Sequence, residues 1–176
     1  WEQLRGNEIG MVFQEPQSSL NPSMRCGDQV LEVLQQHQKS NPISKEAVLE
    51  AFEGVLLPNP NRIYTAYPHE LSGGQKQRVM IAMANICKPK LLICDEPTTA
   101  LDVTVQKEIL NLLKQLQIQN RMSILFISHD LALVKRFADR VLVMQKGRVV
   151  EQGSSKALFS DPKHPYTKGL LSPRPP

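Results

Sequence analysis

The run Leu92-Ile93-Cys94-Asp95-Glu96 joins an apolar stretch to two acids. A buried strand that ends this way sets both carboxylates at the carboxyl edge of a sheet, where open α/β sheets bind their ligands. Asp95 suits Mg²⁺, held directly or through water, because a hard cation takes oxygen ligands. Glu96 suits the orientation or deprotonation of a water that attacks a γ-phosphate. The same letters also describe a strand that simply meets a polar loop. A second cluster, Leu71-Ser72-Gly73-Gly74-Gln75, precedes a helix expected over 75–86, with Val79, Ile81, Ala82 and Met83 among its apolar positions. Two glycines at a helix start let an anion approach backbone amides closely, the helix dipole favours negative charge there, and the Ser72 hydroxyl adds a donor. An ordinary glycine turn reads alike. His129 follows an apolar run, 124–127, and Ser128. In a parallel sheet it reaches the same edge as the acids, although a lone histidine after a strand is more often structural or solvent-facing.

These groups need elements to position them. Residues 9–13 read as a short strand ending at Gln14, broken by Glu15-Pro16. Residues 17–27 are polar, contain Asn21-Pro22 and read as a loop. Asp28 is expected to cap a helix carrying Val30, Leu31, Val33 and Leu34, and Ser44 a second one that Pro58 and Pro60 end. Residues 17–70 thus read as a helical insert. The apolar runs 91–94, 124–127 and 141–144 read as strands covered on both faces. Asp102 is expected to cap a helix with Val105, Ile109, Leu112, Leu113 and Leu116 on one face and a stop at Asn120. Strand, helix and strand in this order make a βαβ unit. Asp130 is expected to cap a helix over 131–138. Residues 141–144 and 148–151, around a glycine turn, read as a hairpin. A short helix is expected over 156–159, and an extended tail over 161–176, which holds five prolines.

The chain has 176 residues, 41% of them hydrophobic and 22% charged, enough for a domain with a core. Its net charge of +4 is dispersed, with no Lys/Arg run beyond two residues, and aromatics are only 5%. A mixed solvated surface fits better than a nucleic-acid face. Cys26, Cys87 and Cys94 form no C-x-x-C pair, so free thiols are expected rather than disulfides or zinc, with Cys94 in the core. The apolar runs are strand-sized, and no signal peptide or membrane span is read. The chain starts at Trp1, and a fragment is expected.

Taken together, Gln14, Leu71-Ser72-Gly73-Gly74-Gln75, residues 91–96, Ala100-Leu101-Asp102 and Ser128-His129-Asp130 stand in an order and spacing that resemble the ATP-binding subunit of ABC transporters, over nearly the whole chain. The resemblance implies an α/β, P-loop NTPase-type (RecA-like) core with a helical subdomain, with ATP and Mg²⁺ as cofactors. It makes Gln14 the Q-loop glutamine that senses Mg²⁺ and the attacking water. Leu71, Ser72, Gly73, Gly74 and Gln75 become the signature, Asp95 the Walker B aspartate and Glu96 the catalytic glutamate. Asp102 falls in the D-loop, and His129 is the switch histidine at the γ-phosphate. The implied organisation is 1–16, the start of the core with the Q-loop; 17–70, the helical subdomain; 71–153, the signature helix and remaining core; and 154–176, a C-terminal extension.

The resemblance also implies partners: a second ABC ATPase subunit, identical or different, transmembrane permease subunits and, indirectly, a solute-binding protein, with no nucleic acid. The implied place is cytoplasmic, peripheral on the inner face of the cell membrane. Residues 12–16, 19–22, 95–104 and His164-Pro165-Tyr166-Thr167 look like the oligopeptide and dipeptide importer branch, which includes nickel importers. None of the nine glycines is followed by lysine, so the phosphate loop G-x-x-x-x-G-K-[ST] is not among these residues. The chain alone is therefore expected to be inactive. A catalytically silent module completing a partner's site and a non-transport ABC ATPase are the other readings.

Overall fold

The structure is a computed structural model that describes residues 4–15, 19–37, 44–99 and 101–172. The expected break at Pro16, the D-loop residue Ala100 and the last four residues, 173–176, lie outside the described residues. The chain divides into two compact units, Trp1–Ile127 and Ser128–Pro176.

In the first unit, β1 (Ile9–Val12), β2 (Leu91–Asp95) and β3 (Ser123–Ile127) form a parallel sheet in the order β1-β2-β3. The register sets Val12 opposite Cys94 and Asp95 opposite Ile127. Helix α5 (Val103–Asn120) links β2 to β3, giving the expected βαβ unit. Its Ile109, Leu112, Leu113 and Leu116 are buried, as their helical spacing requires. Arg121, one residue beyond the expected stop at Asn120, takes the left-handed cap conformation.

Alternate strand residues point to opposite faces. Val12, Leu92 and Cys94 are buried, whereas Met11, Phe13, Leu125 and Ile127 are exposed. The expectation of strands covered on both faces is thus corrected: among the described residues, one face is covered. Helix α4 (Gly73–Asn85) packs against β1, and a Cβ at Gly10 would lie 2.2 Å from the Ala84 carbonyl oxygen. Only glycine fits that approach.

The insert is helical, with two corrections. Helix α1 (Cys26–His37) begins two residues before Asp28, which lies in its first turn instead of capping it. Tertiary contacts set the start: the Cys26 amide donates to the Ala66 carbonyl at 2.9 Å, and the Cys26 side chain is fully buried. Helix α2 (Lys45–Gly54) has the expected Ser44 cap, with the Ala47 amide donating to Ser44 Oγ at 3.3 Å. It ends at Gly54, before either proline. Pro60 instead opens α3 (Pro60–Thr65), where a missing amide proton costs nothing.

In the second unit, Asp130 caps α6 (Leu131–Phe137) by accepting from the amides of Ala132 and Leu133. Strands β4 (Arg140–Gln145) and β5 (Arg148–Ser154) form the expected antiparallel hairpin. Lys146 and Gly147 both take positive φ, 49° and 76°, as a tight two-residue hairpin turn requires. Helix α7 (Ser155–Ser160) follows. The expected extended tail is corrected in part: Pro165–Leu171 form helix α8, capped by His164, whose Nδ1 accepts from the Tyr166 amide at 3.1 Å. Pro165 sits at the first helical position, where proline favours a helix. Among the described residues no helix is long and apolar enough to cross a membrane.

Candidate functional site

Strand β2 delivers Asp95 at its last residue, and the chain then turns sharply. Glu96 has φ 43°, uncommon for a side chain without glycine's freedom. Its amide donates to the Ile127 carbonyl at 3.0 Å, and its carbonyl accepts from the Thr99 amide at 3.1 Å, closing a turn over Pro97 and Thr98. Proline at the second position suits such a turn. The Thr98 carbonyl accepts from Gln106 Nε2 at 3.2 Å, which ties the turn to α5.

Gln14 stands two residues beyond the end of β1, beside β2. Its Nε2 reaches Glu96 Oε2 at 3.5 Å, a long bond, while Thr99 Oγ1 donates to the same oxygen at 2.8 Å. Gln14, Asp95 and Glu96 thus meet at the carboxyl edge of the sheet. Thr99 was missed in the sequence. A hydroxyl three residues after an acid, across a proline turn, is the signal that could have found it.

The Leu71-to-Gln75 cluster is a helix start, two residues earlier than the spacing predicts. Ser72 is the extended cap of α4, and its Oγ accepts from the Gln75 amide at 3.3 Å. Gln75 Oε1 in turn accepts from the Ser72 amide at 3.0 Å. This reciprocal box starts the helix at Gly73. The glycines abut the start of α5 and the residue two before it. A Cβ on Gly74 would lie 2.9 Å from Val105 Cγ1, and one on Gly73 would lie 3.6 Å from Leu101 Cδ2. Asp102 caps α5 by accepting from the amides of Thr104 at 3.0 Å and Val105 at 2.9 Å. The structure therefore brings the glycine cluster beside the segment that holds Asp102, some thirty residues along the chain.

His129 belongs to the second unit and is exposed. It lies between Ser128, whose Oγ accepts from the Asp130 amide at 3.0 Å, and the Asp130 cap.

The described residues contain no group of three or more His, Cys, Asp or Glu side chains placed to hold a metal. Asp95 and the amide oxygen of Gln14 nevertheless fit Mg²⁺, which keeps waters and substrate oxygens and needs only one or two protein ligands. The three cysteines are free and buried. Burial pushes the Cys94 thiol up to about 12 and is the main cause that pushes Cys26 up to about 11, so both are packing groups.

Comparison with known proteins identifies the family. The sequence profile of the ABC transporter family matches residues 1–99. The oligopeptide transport ATP-binding protein OppD of Bacillus subtilis (strain 168) is 53% identical over 175 residues, 99% of this chain and 49% of that protein. The dipeptide transport ATP-binding protein DppD of Haemophilus influenzae is 50% identical over 174 residues, 98% of this chain and 53% of that protein. The chain spans about half the length of the curated relatives it matches. Among solved structures, a dimeric ATP-binding cassette in a post-hydrolysis state, bound to ADP and Pi, has a TM-score of 0.74 at 28% identity, over 85% of this chain and 64% of the other.

Proposed function

Because this chain belongs to the ABC transporter family, with the fold of its ATPase core, we propose that it is part of a subunit that binds and hydrolyses ATP to drive import of oligopeptides or dipeptides. The observation that carries the reading is the meeting of Gln14, Asp95 and Glu96 at one sheet edge, with Glu96 Oε2 held by Thr99 and Gln14. The names of the relatives at 50% and 53% identity support the choice of peptides.

In this reading Asp95 and Gln14 would hold Mg²⁺, which would supply charge neutralisation to the nucleotide's phosphates. Glu96 orients the attacking water or accepts its proton. His129 contacts the γ-phosphate. Leu71, Ser72, Gly73, Gly74 and Gln75 face a nucleotide gripped by a second ATPase subunit, with Asp102 at the seam between the two. Ser72 Oγ accepts from the Gln75 amide, so its own proton can point outward to a phosphate oxygen. Residues 17–70 serve as the helical subdomain that docks on permease subunits at the inner membrane face, 71–153 carry the signature helix and the remaining core, and 154–176 form an extension. A solute-binding protein acts through the permease. The solved relative with ADP and Pi, a dimer, supports the shared site.

The 176 residues contain no Gly-Lys pair, so by themselves they bind Mg-ATP weakly and do not turn it over. That same observation favours a second reading: the chain completes the ATP site of an intact partner and hydrolyses nothing of its own.

Phosphate release from Mg-ATP tests both. In the intact subunit assembled with its permease, Glu96→Gln lowers kcat by about 10²- to 10⁴-fold, the usual contribution of a general base. Wild-type turnover in that variant overturns the role of Glu96. If these 176 residues alone release phosphate, and Glu96→Gln abolishes it, the proposed inactivity fails. If they raise the turnover of an intact partner, even when they carry Glu96→Gln, the second reading holds.

A further inference from the structure

Glu96 has three rotatable side-chain bonds, and the turn that follows it holds one of its carboxylate oxygens in place. We propose that Thr99 is a positioning residue for hydrolysis: its hydroxyl sets the side-chain conformation in which Glu96 meets the attacking water. The proposal rests on the reading of Glu96 as the group that acts on that water.

Two donors converge on Glu96 Oε2. Thr99 Oγ1 lies at 2.8 Å, the normal length for a hydroxyl bonding an oxygen, whereas Gln14 Nε2 lies at 3.5 Å, beyond the normal range for an amide. Bond strength falls with length, and a hydroxyl-to-carboxylate bond is charge-assisted. Thr99 is therefore the dominant restraint of the two.

Thr99 is itself fixed. Its amide donates to the Glu96 carbonyl at 3.1 Å, so one residue is bonded to Glu96 through both backbone and side chain. Pro97 stiffens the turn between them. Thr98 is buried, and its carbonyl accepts from Gln106 Nε2 of α5. As a β-branched residue, Thr99 has few side-chain conformations to choose from. The hydroxyl is thus held by a rigid turn, and the carboxylate by the hydroxyl. Thr99 donates its proton to Glu96, and Glu96 keeps the role of receiving the proton of the attacking water.

Misplacing a reacting group by about 1 Å can cost on the order of 100-fold in rate. In the intact subunit assembled with its permease, Thr99→Val is isosteric and keeps the turn but has no proton to donate. It is expected to lower kcat about 10- to 100-fold, with KM for ATP changed by less than about twofold because Thr99 is not placed on the nucleotide. Thr99→Ser restores kcat, and Thr99→Ala behaves as valine does, which separates loss of the hydroxyl from a packing fault. Crystal structures of the variants supply a reading independent of rate: the Glu96 carboxylate leaves its place in Thr99→Val and keeps it in Thr99→Ser. An unmoved carboxylate in Thr99→Val, or wild-type kcat in both Thr99→Val and Thr99→Ala, overturns the proposal while leaving Glu96 in its role. Wild-type kcat in Glu96→Gln removes the premise instead, so the two failures are distinct.

Discussion

Ser72 and Gln75 cap one another, each accepting a hydrogen bond from the other's backbone amide. The two polar side chains of the glycine cluster are therefore already engaged within a single chain, on the helix they begin. Their first task is to start α4 at Gly73, and any ligand contact is added to that.

Removing this cap weakens the fold without any nucleotide present. Ser72→Ala is expected to cost about 1 kcal/mol, and Ser72→Gly only a few tenths. Urea unfolding of the three proteins checks this. Equal midpoints for wild type and alanine variant would mean the box contributes nothing in solution.

The two glycines of the cluster separate by environment. At Gly73 a methyl meets only Leu101, at ordinary contact distance of 3.6 Å, so Gly73→Ala should keep the wild-type melting temperature or raise it. At Gly74 the methyl meets Val105 at 2.9 Å, and valine is stiff. Gly74→Ala is therefore expected to destabilise by about 1 to 2 kcal/mol. With the cluster facing a partner's nucleotide, as proposed above, Gly73→Ala is expected to weaken binding to a nucleotide-loaded partner while leaving the fold intact. Thermal unfolding and partner association, measured side by side, check the split.

Arg78 is buried and donates from Nη1 to the Val55 carbonyl at 2.9 Å and from Nη2 to Glu108 Oε2 at 2.8 Å. It ties α4 to the end of α2 and to α5. Arg78→Met leaves the Val55 carbonyl without this donor and should cost about 1 to 3 kcal/mol. The Glu108 side chain is 55% exposed, so Glu108→Gln should cost less than about 1 kcal/mol. Similar losses in the two variants would show that the ion pair matters more than the carbonyl bond.

Glu151 of β5 anchors the start of α8. The Thr167 hydroxyl, whose geometry falls short of a full hydrogen bond, and the amides of Lys163 and His164 hold its carboxyl below the usual glutamate range. A carboxyl whose folded value is depressed stabilises the fold above its unfolded value, about 4.3 for glutamate, and loses that contribution as pH falls through the folded value. The attachment of α8 should therefore be intact at neutral pH and loosen in acid below about pH 4. NMR of the Lys163 and His164 amides follows it. Glu151→Gln should remove the acid transition at those two amides, and its persistence would place the titrating group elsewhere.

Much of this was legible in the sequence because local chemistry decided it. Ser44, Asp102 and Asp130 cap the helices their positions suggest, and the apolar run before Asp95 is a strand with the acids at its carboxyl end. Legibility failed where distant contacts or an ambiguous residue decided the outcome. Cys26 starts α1 early because the carbonyl of Ala66, forty residues away, takes its amide. The sequence reads Pro60 as the end of a helix and Pro165 as part of an extended tail, yet proline ends one helix and opens the next with equal ease, and only the backbone before it tells which. The Thr99 bond to Glu96 depends on a turn geometry that a pattern of residue types does not carry.

The contact between Gly74 and Val105 has a consequence for how such sequences change over generations. The space at the start of α4 is filled from the other side by the first turn of α5. The two positions therefore share one volume, and neither is free to drift alone. A lineage that acquires alanine at position 74 gains room by trimming position 105 to alanine, and the reverse order of events passes through a small void instead of a clash. The pair should vary together, with the smaller side chain at 105 arriving first.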